Sequence, residues 1–220
     1  MEVLIFGHGG TPVVVFPTSS GRFYDFEDRG MVGALAEKIE SGRLQLFCVD
    51  SVDSESWYNR PAHPRLRIAR QKQYDEYIRR EIVAFIRRRN VEPQLIAAGC
   101  SFGGYHAANT ALRHPDAFTG FVSMSGVFDL SGFLSGYYDR ECYVQLPTHY
   151  IPRLTDPAYL DRILLGKYIL ATGRDDQCLA ANQSFGRILA EKAIPHQLYI
   201  WESENSHDWP TWQRMAQHYL

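Results

Sequence analysis

Short apolar runs alternate along the chain with segments whose hydrophobic residues recur at helical spacing. Such runs are typical of buried strands, and a period of 3.6 residues is typical of helices with one buried face. The predicted strands cover residues 3–6, 13–17, 44–49, 94–98, 118–124, 167–171 and 196–201. This alternation predicts an α/β fold, with a mostly parallel central sheet covered by helices on both faces.

Two segments interrupt the alternation. Residues 7–12, between the first two strands, are rich in glycine, which is typical of a hairpin turn and predicts that the sheet begins with an antiparallel hairpin. Residues 125–162 contain several glycines and prolines and no clear periodicity, which predicts short helices or an excursion over a functional site. Because the chain has no internal repeat and no linker-like segment, we expect residues 1–220 to form one domain.

The composition narrows the classes of function. The 220 residues are 45% hydrophobic and 22% charged, and the net charge is −2, so no overall field favours nucleic acid or an anionic membrane. The arginines at 87–89 are interpreted as the positively charged end of a helix. No apolar run is long enough to span a bilayer, and the first residues do not resemble a secretory signal. Four cysteines without metal or redox spacing favour the cytoplasm: Cys48, Cys100, Cys142 and Cys178.

The candidate chemistry centres on Ser101, which lies between a predicted strand and a predicted helix. It is the serine of a G-x-S-x-G pattern in which Gly99 and Gly103 are the glycines. A tight strand-to-helix turn needs small residues on both sides of the serine, and it pushes the serine hydroxyl out of the sheet. The following helix directs its unpaired N–H groups at the same point. The pattern therefore predicts a nucleophile elbow.

A serine hydroxyl needs a base to take its proton and an acid to orient that base. His207 follows the last predicted strand, whereas His196 lies at the wrong end of that strand, so His207 is the predicted base. Asp176 follows the sixth strand at Gly-x-x-Asp spacing and is the preferred acid. The neighbouring Asp175 and the earlier Asp129 remain alternatives.

An oxyanion hole would use two backbone amides near this serine. One is the amide of Phe102, directly after the serine, and the other comes from the loop after the second strand. Pro17 has no N–H, which leaves Thr18 and Ser19, with Ser19 preferred.

These motifs resemble the α/β-hydrolase superfamily and, more narrowly, the esterase group that includes esterase D, feruloyl esterases and mycolyltransferases. His207, Trp209 and Trp212 match the H-x-W-x-x-W ending of that group. The resemblance implies a three-layer α/β-hydrolase sandwich and acyl transfer through an ester on Ser101, with His207 moving the proton and Asp176 orienting it. It implies no metal and no organic cofactor.

A small-molecule carboxylic ester is the expected substrate, with neither nucleic acid nor membrane as partner. Aromatic residues on loops at the same edge are expected to line the substrate pocket. They are Tyr24, Trp57, Tyr58, Tyr137 and Trp209. An acyltransferase or peptidase would use the same three side chains, and a non-catalytic binding protein of this fold is the alternative from another class. The oligomeric state stays open.

Overall fold

Seven strands form one mixed sheet in the order β1-β3-β2-β4-β5-β6-β7. The computed structural model describes residues 1–202 and 207–220. The strands are β1 (Val3–Phe6), β2 (Thr11–Phe16), β3 (Leu44–Val49), β4 (Ile96–Cys100), β5 (Gly120–Met124), β6 (Lys167–Gly173) and β7 (His196–Trp201). All neighbouring pairs from β3 to β7 are parallel. The predicted α/β fold with a mostly parallel sheet is confirmed.

The sheet begins antiparallel, as predicted, but strand β1 has a different partner from the one expected. β1 pairs antiparallel with β3, where Val3 lies opposite Val49 and Phe6 opposite Leu46. β2 pairs with β3 on the other side, so β1 and β2 are not hydrogen-bonded to each other. The predicted hairpin is therefore wrong. Gly10 explains why, because its φ is +80° and an added Cβ would lie 2.2 Å from the carbonyl carbon of Arg43. The linker passes tightly over the start of β3 instead of folding β1 back on β2.

Both faces of the sheet are buried, each beneath its own set of helices. Val14 and Phe16 point into one apolar cluster together with residues of the helices around 74–86, 107–112 and 185–189. Val13 and Val15 point into a second cluster with residues of the helices around 31–39 and 212–216. Strands buried on both faces explain why the sequence shows continuous apolar runs rather than alternation.

The helices follow the predicted order, with several interruptions. They are α1 (Asp25–Asp28), α2 (Met31–Ala34), α3 (Ala36–Glu40), α4 (Pro64–Tyr77), α5 (Val83–Arg87), α6 (Phe102–Arg113), α7 (Ser131–Leu134), α8 (Arg140–Tyr143), α9 (Pro147–Tyr150), α10 (Pro157–Leu164), α11 (Leu179–Glu191) and α12 (Trp209–Tyr219). A π-helical turn at Ile78–Ile82 joins α4 to α5. Residues 125–162 form short helices, one of the two arrangements predicted for them. Within the two described ranges, no helix is both long and apolar enough to cross a membrane.

Candidate active site

The turn between β4 and α6 has the geometry of the predicted elbow. Ser101 adopts φ +54° and ψ −119°, a strained conformation for a residue with a side chain. The two glycines allow close approach of backbone to backbone. A Cβ on Gly99 would lie 2.4 Å from the carbonyl carbon of Gly103, and a Cβ on Gly103 would lie 2.5 Å from the carbonyl oxygens of Phe16 and Pro17. The glycines are thus required by packing on both sides of the serine.

Three side chains from three loops meet at this turn. His207 Nε2 lies 3.0 Å from Ser101 Oγ, and His207 Nδ1 lies 2.9 Å from Asp176 Oδ1. Because a carboxylate only accepts, Nδ1 carries the proton in this pair, and Nε2 then presents its lone pair to the serine hydroxyl. Asp175, the neighbouring alternative, is exposed. The other alternative, Asp129, accepts hydrogen bonds from the amide and hydroxyl of Ser131.

Asp176 is buried beside the imidazole. Burial raises its pKa, but hydrogen bonds from His207, from Ser125 and from the backbone amide of Cys178 outweigh this effect and hold the pKa below the ordinary value. The amide of Cys178 lies 2.7 Å from Oδ1. The carboxylate is therefore ionised at neutral pH and can orient the histidine.

Trp212 packs against the histidine, a contact that the sequence did not specify. Its ring meets the ring of His207 edge to face, with centroids 5.0 Å apart. Its indole N–H donates to Ser125 Oγ over 2.9 Å. Trp212 thus contacts the histidine and bonds Ser125, one of the residues that lower the pKa of Asp176. The H-x-W-x-x-W spacing was the only signal for it.

The loop after β2 reaches the elbow, and its amides differ in what they bond. The Thr18 amide donates to Asp25 Oδ2 over 3.1 Å, and the Ser20 amide donates to Asp53 Oδ2 over 3.1 Å. Within residues 1–202 and 207–220, the amides of Ser19 and Phe102 donate no hydrogen bond. The Thr18 amide is already bonded to Asp25, so it does not point a free N–H at an oxyanion. Ser19 therefore remains the predicted second oxyanion donor.

The predicted pocket aromatics occupy different environments. Trp57 is only 1% exposed and packs edge-on against Phe102 and Tyr105, and its place in a substrate pocket stays a prediction. Tyr58 is half-buried; it packs against Phe102 and its hydroxyl donates to Ser19 Oγ over 2.7 Å. Tyr58 therefore lies beside both candidate oxyanion donors.

The other three aromatics are more exposed than Trp57. Tyr137 is half-buried, and its hydroxyl donates to Asp139. Tyr24 is 43% exposed and contacts Phe23. Trp209 is half-buried against Trp212. Their place in a substrate pocket stays a prediction.

A cavity of about 460 Å³ lies beside the loop that carries Asp176. Phe128, Leu130 and Leu146 give it apolar walls, while His149 and Gln177 add polar groups. Gln177 directly follows Asp176, so this cavity lies between the short helices of residues 125–162 and the segment that begins α11.

One group of described side chains has the composition of a metal site. The ligand atoms of Asp176, Cys178 and His207 all lie within 4.8 Å of one another. However, Asp176 and His207 already bond each other, and burial raises the pKa of the Cys178 thiol to about 12. A protonated thiol is a poor ligand, so this donor set suits the hydrogen-bonded arrangement better than an ion.

Comparisons with known proteins identify the fold. Solved structures of similar fold include a ferulic acid esterase, with a TM-score of 0.73 and 17% identity over 96% of this chain and 84% of that one. An S-formylglutathione hydrolase from Agrobacterium tumefaciens has a TM-score of 0.73 and 15% identity over 98% and 86%. The fluorophosphonate-binding serine hydrolase F of Staphylococcus aureus has a TM-score of 0.65 and 18% identity over 96% and 82%. These likenesses show the α/β-hydrolase fold.

The family comparison is more specific than the structural one. A search of curated proteins finds no match. The family model described as "Putative esterase" matches residues 8–219, which is nearly the whole sequence. The chain therefore belongs to this esterase family of the α/β-hydrolase fold.

Proposed function

We propose that this protein is a serine esterase that hydrolyses small carboxylic esters through an acyl-enzyme on Ser101. The observation that carries the proposal is the continuous hydrogen-bonded series from Ser101 through His207 to the buried Asp176. Each member stands at the distance and in the order that a nucleophile, a base and an orienting acid require.

The reaction begins when Ser101 Oγ attacks the ester carbonyl and His207 Nε2 takes the hydroxyl proton. Asp176 keeps Nδ1 protonated and stabilises the imidazolium that forms. The carbonyl oxygen becomes an oxyanion, which accepts hydrogen bonds from the amides of Phe102 and Ser19.

The tetrahedral intermediate then collapses. The bond to the alcohol breaks, and the alcohol leaves with the proton that His207 returns. In the second half, His207 takes a proton from water, the hydroxide attacks the acyl-serine, and Ser101 leaves with the proton as the carboxylic acid is released. This sequence needs no metal and no organic cofactor.

The surroundings of Ser101 favour small acyl groups. Tyr58 and Phe133 pack against Phe102, the residue after the nucleophile, and form an aromatic wall beside it. Such a wall offers a flat apolar surface with a hydroxyl at one end. Two structural neighbours are named for ferulic acid and S-formylglutathione, and the corresponding acyl groups, feruloyl and formyl, are small.

The two adjacent aspartates provide a matched test. Asp176→Asn removes the carboxylate that bonds His207, and kcat for 4-nitrophenyl acetate should fall by about 10⁴-fold. Asp175→Asn makes the same chemical change one residue away and should leave kcat near that of the wild type. Equal losses in both variants, or a loss in Asp175→Asn alone, would contradict the assignment. Activity that persists in Ser101→Ala would contradict the proposed function itself.

A further inference from the structure

Asp53 and His106 form a buried pair that the proposed reaction does not use. His106 Nε2 donates to Asp53 Oδ1 over 2.8 Å, and the two side chains are 1% and 0% exposed. Burying a carboxylate away from water costs free energy unless each of its oxygens accepts a hydrogen bond. The other groups that bond or contact Asp53 and His106 therefore indicate which part of the molecule this pair stabilises.

The second oxygen of Asp53 holds the loop that carries Ser19. Asp53 Oδ2 accepts from the amide of Ser20, the next residue, which has φ +55°. Residues other than glycine rarely adopt this left-handed conformation. On the other side of Ser19, the amide of Thr18 is bonded to Asp25. The Ser19 amide thus lies between two anchored peptide groups.

The backbone of Asp53 reaches Ser19 by a second route. Its carbonyl accepts from the amide of Tyr58 over 2.8 Å, and the Tyr58 hydroxyl donates to Ser19 Oγ over 2.7 Å. Ser51 adds a further tie, because its hydroxyl donates to the carbonyl of Gly21 over 2.9 Å. Residues that follow β3 therefore hold the loop after β2 at several points.

His106 connects this assembly to the elbow helix. It lies on α6, four residues after Phe102, and its ring meets the Phe102 ring edge to face with centroids 5.1 Å apart. The imidazole also stacks on Phe16, at the end of β2, with centroids 5.8 Å apart. The ring thus contacts both the strand that leads into the Ser19 loop and Phe102, whose amide is the other candidate oxyanion donor.

We propose that Asp53 and His106 are positioning residues that hold the Ser19 and Phe102 amides at the separation an oxyanion requires. This inference rests on the proposed function. Oxyanion donors act only when they are aimed in advance at the point where charge develops. A tie between the loop and the helix, rather than either element alone, fixes the distance between the two donors. The pair should therefore act on the transition state more than on substrate binding.

Variants of His106 separate positioning from packing. His106→Phe keeps an aromatic ring among its neighbours but removes the donor to Asp53, whereas His106→Gln keeps an N–H donor. We expect His106→Phe to lower kcat for 4-nitrophenyl acetate by about 10- to 100-fold, approaching the loss of one oxyanion donor. KM should stay within about threefold, and His106→Gln should recover most of kcat.

A second readout follows the oxyanion directly. An aliphatic trifluoromethyl ketone adds to the serine as a tetrahedral oxyanion, so its inhibition constant reports on the donors. In His106→Phe this constant should rise by about the same factor as kcat falls. A role confined to folding would leave the affinity of the folded fraction unchanged.

His114 provides the matched control. It lies directly after the same helix, eight residues beyond His106, and its Nε2 bonds Asp75 Oδ1 over 3.0 Å. His114→Phe therefore breaks a similar pair, and it should change kcat and inhibitor affinity by less than about threefold. A double variant, Asp53→Leu with His106→Phe, removes the buried charge together with its partner; its melting temperature should exceed that of His106→Phe while kcat stays low.

The outcomes distinguish this proposal from the proposed function. Wild-type kcat and inhibitor affinity in a folded His106→Phe or in the double variant would overturn the positioning role, and so would equal losses in His114→Phe. If Ser101→Ala also abolishes hydrolysis, the esterase function stands even though the positioning role has failed. If Ser101→Ala hydrolyses the ester as the wild type does, both proposals are overturned.

Discussion

Replacing Gly103 by alanine tests how closely the elbow must pack against β2. An added Cβ would lie 2.5 Å from the carbonyl oxygens of both Phe16 and Pro17, whereas ordinary contact begins at 3.4 Å. The difference, 3.4 − 2.5, requires a shift of about 0.9 Å in backbone atoms. Pro17 begins the loop that carries Ser19, so the displacement would reach the proposed oxyanion donor.

The size of the effect follows from that shift. A misplacement of about 1 Å in a catalytic group costs about 10²-fold in rate, so kcat of Gly103→Ala should fall by about that factor. Overpacking should lower the free energy of unfolding by about 1–3 kcal/mol, and each kcal/mol lowers Tm by roughly 2–4 °C in a chain of this size. Steady-state hydrolysis of 4-nitrophenyl acetate and calorimetric melting measure the two quantities.

Gly33→Ala is the control for this prediction. Gly33 lies on α2 with no atom within 4 Å of an added Cβ, and alanine should stabilise the helix by about 0.5–1 kcal/mol with kcat unchanged. If Gly103→Ala kept kcat within about threefold of the wild type with an unchanged Tm, the packing argument would be refuted.

Three further predictions concern the surroundings of His207 and Asp176 and the core. Trp212→Phe keeps the ring beside the histidine but removes the donor to Ser125; the free energy of unfolding should fall by about 1 kcal/mol in urea denaturation, and an unchanged value would contradict this role. Because hydrogen bonds hold the pKa of Asp176 below the ordinary value of an aspartate, its carboxylate stabilises the folded chain above the unfolded-state pKa, and the contribution is lost as the pH falls through the folded-state pKa. Between about pH 5 and about pH 3, the wild type should therefore lose more stability than Asp176→Asn, and an equal loss would refute this. Leu170→Ala, in the buried centre of β6, should cost about 2–5 kcal/mol, whereas Leu165→Ala, at a side chain 85% exposed, should cost less than about 0.5 kcal/mol; similar costs would contradict the burial.

Local patterns predicted most of the strands and the strand-to-helix turn at Ser101. The elbow is determined within five residues, since Gly99 and Gly103 are needed by backbone contacts that the turn itself creates. The positions of Asp176 and His207 follow from the order of strands, because parallel strands place their carboxyl ends at one edge. These features depend on chain order and short-range geometry, which a single sequence contains.

Features that depend on distant contacts could not be predicted from local patterns. The antiparallel partner of β1 is β3, about forty residues away, and a glycine-rich linker was mistaken for a hairpin turn. Trp57 lies on a polar loop but packs beneath Phe102. The bond from Asp53 to His106 joins residues 53 positions apart, and nothing in the sequence near either residue indicates it.

The same limit applies to the oxyanion loop. Thr18 and Ser19 are adjacent and both have amides, so the sequence could not separate them. The distinction arises because Asp25 lies close enough to bind the Thr18 amide, which is a consequence of how α1 packs.

Labelling with a fluorophosphonate, followed by peptide mapping of the adduct, tests the central claim most directly. The reagent modifies a serine whose hydroxyl is activated by a neighbouring base. The account predicts an adduct on Ser101 in the wild-type protein and none in a folded Ser101→Ala variant. An unlabelled wild type that is folded, or an adduct on another residue, would contradict the account and favour a non-catalytic binding protein of this fold or a different nucleophile.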